Sequence, residues 1–194
     1  MSSGVPGGRH GMGTVRFSMT CSLDGYVTDP DGDFRWTAPS EEMHAFVNRR
    51  VRELSTFVLG RAMYETLKVW DDWEADSAVE QEFADLWAGR DKIVCSDSLD
   101  ALAAPRTTLE PRLTTERLAE IAAGADGVVE VAGPTVAAEA LRAGLVDEIE
   151  MFVAPHVLGG GTRAFPDGMR TALELVESRP FAAGAVFLRY RTRP

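Results

Sequence analysis

The hydrophobic positions of this chain change period as it advances, and the changes predict its elements. Val15, Phe17 and Met19 alternate with Thr14, Arg16 and Ser18, the two-residue period of a strand with one buried face. From Ser40, a helix N-cap with Glu41 and Glu42 in its first turn, Met43, Phe46, Val47, Val51 and Leu54 form a helical stripe. Glu41 and Glu42 are expected to be exposed, and His44, off the stripe, reads as a solvated helix histidine. Thr56–Leu59 is an apolar run of strand length, stopped by Gly60-Arg61, and Ala62–Leu67 restarts as a short helix. Val79, Phe83, Leu86 and Trp87 predict a helix over 77–88, and Ile93–Cys95 a short strand ending in Ser96-Asp97-Ser98. Residues 99–113, with Pro105 and Pro111, read as irregular. Thr114 or Thr115 caps a helix that stops at Gly124.

The stretch Val128–Gly161 organises the rest. Val128, Val129 and Val131 form a β-branched strand that Gly133-Pro134 breaks at once, and Val136, Ala137, Ala140 and Leu141 then share one side of a helix. Gly144 sits where a left-handed C-cap glycine belongs. Ile149, Met151 and Val153 alternate with Glu148, Glu150 and Phe152 before the Gly159–Gly161 turn. Leu173–Val176 and Ala185–Tyr190 pair as an antiparallel hairpin at a sheet edge. Strand–helix alternation with a β-rich finish predicts an α/β fold, with a mostly parallel sheet covered by helices on both faces.

In such sheets ligands bind beyond the carboxyl ends of the strands. Gly60-Arg61, Ser96-Asp97 and Gly133-Pro134 all fall at that end. A glycine turn opening a helix aims backbone N–H groups and a positive helix end outward, as an anionic phosphate requires. The plain alternative for Gly133-Pro134 is an unliganded strand–helix turn. Arg61 carries a planar fork suited to phosphate oxygens, or it pairs with Glu65 on the surface. Ser96 and its neighbours bind a ribose or phosphate, or simply form a turn. The segment SLDGYVTDPDGDFRW (22–36) is either a self-packed loop or a flap over a ligand.

With 194 residues, 45% of them hydrophobic, the chain suits one domain over 14–194. Residues 1–13, rich in Gly and Ser, read as a flexible leader. The net charge of −10 argues against nucleic-acid and anionic-membrane partners. No apolar run approaches a membrane span. Cys21 and Cys95 form no disulfide framework and fit a reducing cytoplasm, and His10, His44 and His156 have no metal-ligand spacing, so no metal is expected.

SLDGY (22–26), LGRxxYE (59–65), VAGPTVAAEALRAGLVDE (131–148) and APHVLGGGT (154–162) resemble the dihydrofolate reductase superfamily, and within it the branch holding the reductase domain of the riboflavin-biosynthesis deaminase–reductase. The resemblance spans roughly 14–192. It implies a dihydrofolate reductase-like three-layer fold, a homodimer, and NADPH as cofactor, with NADH not excluded. Carried over by motif, Gly60 and Arg61 contact the cofactor's phosphates, and Ser96 lies by its 2′-phosphate. Gly133, Pro134, Thr135 and Val136 hold the pyrophosphate. Asp24, Gly25, Tyr26 and Trp36 shape the flap around nicotinamide and substrate. This chain departs from the riboflavin enzymes in three places. Val131 replaces a substrate-binding Glu before the AGP triplet, leaving Glu130 on the opposite face of the strand. Tyr26 replaces a Lys, and Asp97 stands where relatives often carry Arg. The implied reaction is hydride transfer from reduced nicotinamide to a C=N or C=O carbon of a small molecule, with solvent or Asp24 supplying the proton. The alternative is a member of the fold that binds a ligand without reducing it.

Overall fold

The computed structural model describes residues 13–193 except 101 and 103, so nearly all of the expected leader lies outside the described residues. Gly13, its last residue, donates its N–H to the Ala122 carbonyl at 2.6 Å. Along the chain come β1 (Val15–Ser22), β2 (Tyr26–Thr28), α1 (Glu41–Val51), β3 (Leu54–Gly60), α2 (Arg61–Leu67) and α3 (Ala78–Ala88). These are followed by β4 (Asp91–Cys95), β5 (Thr107–Glu110), α4 (Thr115–Gly124), β6 (Val128–Ala132) and α5 (Pro134–Arg142). Last are β7 (Glu148–Ala154), β8 (Thr162–Arg163), β9 (Leu173–Pro180) and β10 (Val186–Thr192).

The eight-stranded sheet has the order β5-β4-β3-β6-β1-β7-β10-β9, parallel as far as β7. The tight turn at Gly184 (φ +92°) makes β9–β10 the antiparallel hairpin that the pattern predicts, at the sheet's edge. The helix caps follow local chemistry: Ser40 Oγ accepts from Met43 N, Ser77 Oγ from Glu80 N, and Thr114 Oγ1 from Arg117 N. Gly144 (φ +66°) ends α5 in a Schellman turn, with Gly144 N donating to Leu141 O and Leu145 N to Ala140 O.

Three readings need correction. Leu54 opens β3 instead of closing the helical stripe, because α1 ends at Val51. Residues 107–110, inside the stretch read as irregular, add a parallel edge strand to β4, and the flanking prolines hid the short Thr-Thr-Leu run. The polar side of β1 does not face water: Arg16 is 1% exposed. Its side chain lies under α1, where Nη1 donates to the Arg50 carbonyl.

Both sheet faces are therefore packed. Val15, Phe17, Val129, Val131 and Ile149 meet Leu118, Ile121, Ala137 and Leu141 on the α4–α5 side. On the opposite side Phe57, Leu59 and Val94 meet Phe83 and Trp87, and Phe152 and Phe187 meet Met43 and Phe46. Each such large apolar side chain contributes about 1.5–3 kcal/mol on burial. Trp87 Nε1 finds its partner in Asp71 Oδ1 at 2.7 Å. The α1–α3 side is thus apolar at both ends, with charged side chains between them.

Candidate active site

Strand register brings the three bends together. Gly60 pairs with Cys95 across β3–β4, and Leu59 with Ala132 across β3–β6, so Gly60-Arg61, Ser96-Asp97 and Gly133-Pro134 lie side by side on one sheet edge. They open onto a cleft of about 1310 Å³ that runs from this edge to the space between α1 and the sheet. Gly60, Arg61, Ser96, Gly133, Pro134, Thr135 and Val136 all line it. Gly133 has φ +116°, a conformation that a Cβ makes costly, and a Cβ there would lie 3.8 Å from Gly60 N.

The caps divide by location. Helices α1, α3 and α4 are closed by hydroxyl side chains, whereas α2 and α5 start at Gly60 and Gly133 and have no side-chain cap. Pro134 at the first position of α5 lacks an N–H, which leaves the amides of Thr135 and Val136 to face an incoming acceptor. Arg61 Nη1 reaches Ser98 Oγ at 2.8 Å, and Ser98 N donates to Ser96 Oγ at 3.2 Å. The expected alternative partner of Arg61, Glu65, pairs with Lys68 instead. Asp97 shares this rim, so the donors there face one carboxylate.

The other expected site residues lie elsewhere. Asp24 is outside the cleft lining and clamps two loops: its carboxylate accepts from Ser22 Oγ at 2.7 Å, Gly159 N at 2.7 Å and Leu158 N at 3.1 Å. Hydrogen bonds from Ser22 and Gly159 hold its pKa at about 2, so at neutral pH it has no proton to give. Gly25 (φ +86°) turns the chain between β1 and β2, and Tyr26 lies beneath the Arg163 guanidinium, 5.3 Å from ring centroid to Cζ. Trp36 donates from Nε1 to the Asp33 carbonyl and packs 5.7 Å from the His156 ring. In this loop it is Val27, Thr28, Gly32 and Phe34 that line the cleft. Val131 is fully buried in the α4–α5 core, so it cannot touch a ligand in the cleft.

The inner end of the cleft holds residues that the sequence pattern did not single out. Ser18 and Thr20 from β1, Phe57 from β3, Glu130 from β6 and Phe152 from β7 form its floor, and Met43, Val47 and Val51 of α1 its roof. Beside Glu130 lies a network of charges. Arg16 reaches Glu53 at 2.5 Å and Glu150 at 3.3 Å, and Arg50 reaches Glu53 and Glu150, both at 2.5 Å. Desolvation pushes the Glu130 carboxyl up to about 7 against the opposing pull of Arg16. The alternating polar positions of β1, β6 and β7 could have revealed this floor. A sheet predicted to be covered on both faces cannot send that many charged side chains to water. His44 also lines the cleft, half-buried against Trp70 and Phe83, and burial lowers its pKa. It is not the solvated histidine expected.

Among the described residues no group of three or more His, Cys, Asp or Glu side chains could hold a metal ion, and no helix is long and apolar enough to cross a membrane.

The architecture is that of a dihydrofolate reductase-like α/β protein. A dihydrofolate reductase from Enterococcus faecalis complexed with NADP(H) superposes with a TM-score of 0.63 at 15% identity, over 94% of this chain and 98% of that one. The chain belongs to the RibD C-terminal domain family, whose model matches residues 13–187. A Shewanella sp. PV-4 protein named for riboflavin biosynthesis gives a TM-score of 0.73 at 18% identity, over 93% of this chain and 99% of that one. Acinetobacter baumannii RibD gives 0.69 at 17% identity, and the match covers 95% of this chain but 59% of RibD. No curated protein sequence matches the chain. The family is of reductase type, and at these identities the structural matches establish the fold alone.

Proposed function

We propose that this chain is a pyridine-nucleotide-dependent reductase acting on a C=N or C=O group of a small molecule. The observation that carries the reading is the row of bends at Gly60, Ser96 and Gly133, placed side by side by strand register and opening on one cleft. The uncapped start of α5 fits a pyrophosphate, since the Thr135 and Val136 amides have no side-chain acceptor. Arg61, with Ser96 and Ser98 beside it, fits a further phosphate or a ribose hydroxyl. When bound, the reduced nicotinamide supplies the hydride. The chain's own residues hold and orient: Gly133 through Val136 fix the dinucleotide's centre, and Phe34, Val27 and Thr28 cover the cleft beside β1 and limit water. With Asp24 held ionised, solvent is the better supported source of the final proton.

Titration of the purified chain with NADPH and with NADH, followed by nicotinamide fluorescence, tests the reading. Saturable binding of at least one is expected. No saturation by either nucleotide would refute it.

A further inference from the structure

We propose that the aromatic wall made by His44, Trp70 and Trp73, together with Glu80, is a subsite for a cationic group of the substituted-ammonium kind, carried by the substrate away from its reacting carbon. The inference deepens the reductase reading and depends on it only in calling that ligand the substrate.

All four residues line the cleft, and three elements supply them: His44 from α1, Trp70 and Trp73 from the connection between α2 and α3, and Glu80 from the first turn of α3. Trp70 is the centre of the wall. Its ring lies 5.0 Å from Trp73, 5.7 Å from His44 and 4.7 Å from the buried Phe83. Each of these contacts is tilted or edge-on, so no ring lies flat over another. Such contacts leave much of each ring face free, and that face carries negative potential. Trp73 is 43% exposed, yet its orientation is fixed, because Nε1 donates to Glu80 Oε2 at 3.2 Å. The Asp76 amide donates to the same oxygen at 2.9 Å, which leaves Glu80 Oε1 without a donor among the described residues. A carboxylate oxygen and open indole faces attract the same guest, a cation.

The charges along the cleft sort the same way. Among the described residues its lining arginines are Arg61 at the start of α2, Arg112 after β5 and Arg142 at the end of α5. Neither α1, nor the α2–α3 connection, nor α3 adds a lysine or arginine to that lining. Residues 71–82 hold six acidic side chains and no basic one. Two of the six are engaged, Asp71 by Trp87 and Glu82 by Arg52 and Asn48. Lys68, the cation just before them in the chain, pairs with Glu65. Burial holds His44 below the ordinary imidazole pKa, so it adds no positive charge at pH 7.5. A phosphate at this wall would meet uncompensated repulsion, whereas the row of bends offers it amides and Arg61. One part of the cleft is thus fit for phosphate and another for a cation. A wall that served only to cover α1 and α3 would need neither an open indole nor a half-free carboxylate beside it.

The test uses the full chain and two probes of the same shape, choline as the cation and 3,3-dimethyl-1-butanol as its neutral counterpart, by calorimetric titration. At pH 7.5 choline is expected to bind at least about tenfold more tightly than the alcohol, the worth of a cation on an aromatic face beside a carboxylate. Trp73→Leu and Glu80→Gln should each lower choline affinity about fivefold or more, with NADPH affinity unchanged. Ribose 5-phosphate should not displace choline. Equal binding of the two probes, an undiminished preference in folded Trp73→Leu and Glu80→Gln, or displacement by the sugar phosphate would each overturn the proposal. Should the variants not fold, tryptophan emission of the unaltered protein decides: choline at saturation must quench it, and unchanged emission would overturn the proposal as well. A chain that binds choline as described but neither nucleotide would lose the reductase reading and keep the subsite; the reverse result would remove the subsite alone.

Discussion

A buried carboxylate without a hydrogen-bond partner among the described residues destabilises the fold, and at Glu130 the effect is measurable. Its pKa rises from 4.5 to about 7 on folding because burial outweighs the pull of Arg16. Between those two values the folded chain binds more protons than the unfolded one, so this residue's contribution to stability falls as pH rises from about 4.5 to about 7 and is flat above. A shift of about 2.5 units corresponds to about 3 kcal/mol against folding at pH 8. Glu130→Gln removes the titration, keeps the shape, and sacrifices only the 3.9 Å approach to Arg16, which retains Glu53 at 2.5 Å and Glu150 at 3.3 Å. The variant should therefore be more stable than the parent by up to about 3 kcal/mol at pH 8, and by less than about 1 kcal/mol at pH 5. Urea denaturation of both proteins at the two pH values, followed by circular dichroism, measures the difference. A variant no more stable at pH 8, or a gain that does not depend on pH, would refute the reasoning.

Other outcomes follow from the site. Arg61→Ala should weaken NADPH binding about tenfold or more through loss of a charge-assisted phosphate contact, read by fluorescence titration, with thermal stability little changed because Arg61 is exposed. Gly133→Ala should destabilise the fold by about 1–3 kcal/mol, since φ +116° is strained for alanine, and should reduce nucleotide affinity; unchanged affinity would count against the α5 turn as the pyrophosphate seat. Asp97→Ser should raise affinity for NADPH more than for NADH by removing a carboxylate from the rim shared with Arg61 and Ser96, and parallel changes in both would count against a 2′-phosphate there. Asp24→Asn should speed hydrogen exchange at the Leu158 and Gly159 amides. Because the Asp24 pKa is lowered to about 2, its stabilising effect should hold above the usual carboxylate range and fade as pH falls through about 2.

Much of the architecture was legible because it rests on local chemistry. Ser40 and Thr114 cap helices for the reason their hydroxyls predict, and Gly144 ends α5 because glycine enters φ +66° without strain. The apolar runs of β3, β4 and β6, each followed by a turn, foretold parallel strands with their carboxyl ends together, and the register places those turns as neighbours. The flap was less legible. The aromatics of residues 22–36 looked alike in sequence, but Trp36 folds back on its own loop and His156, while Phe34 lines the cleft.

The sequence by itself determined which residues are chemically able to bind an anion and on which elements they stand, because caps, turns and strand periods depend on near neighbours along the chain. It also fixed that Val131 and Glu130 face opposite sides of their strand. Only the tertiary structure decided which of those sides is the cleft. That depends on where α1 lies over the sheet, and α1 is held there by Arg50, Glu150 and Phe46 through contacts far apart in sequence. A two-residue period says that a face differs from its opposite but carries no sign telling solvent, core and ligand apart. Arg16, Glu130 and Glu150 acquire their meaning only when three strands and a helix enclose them together.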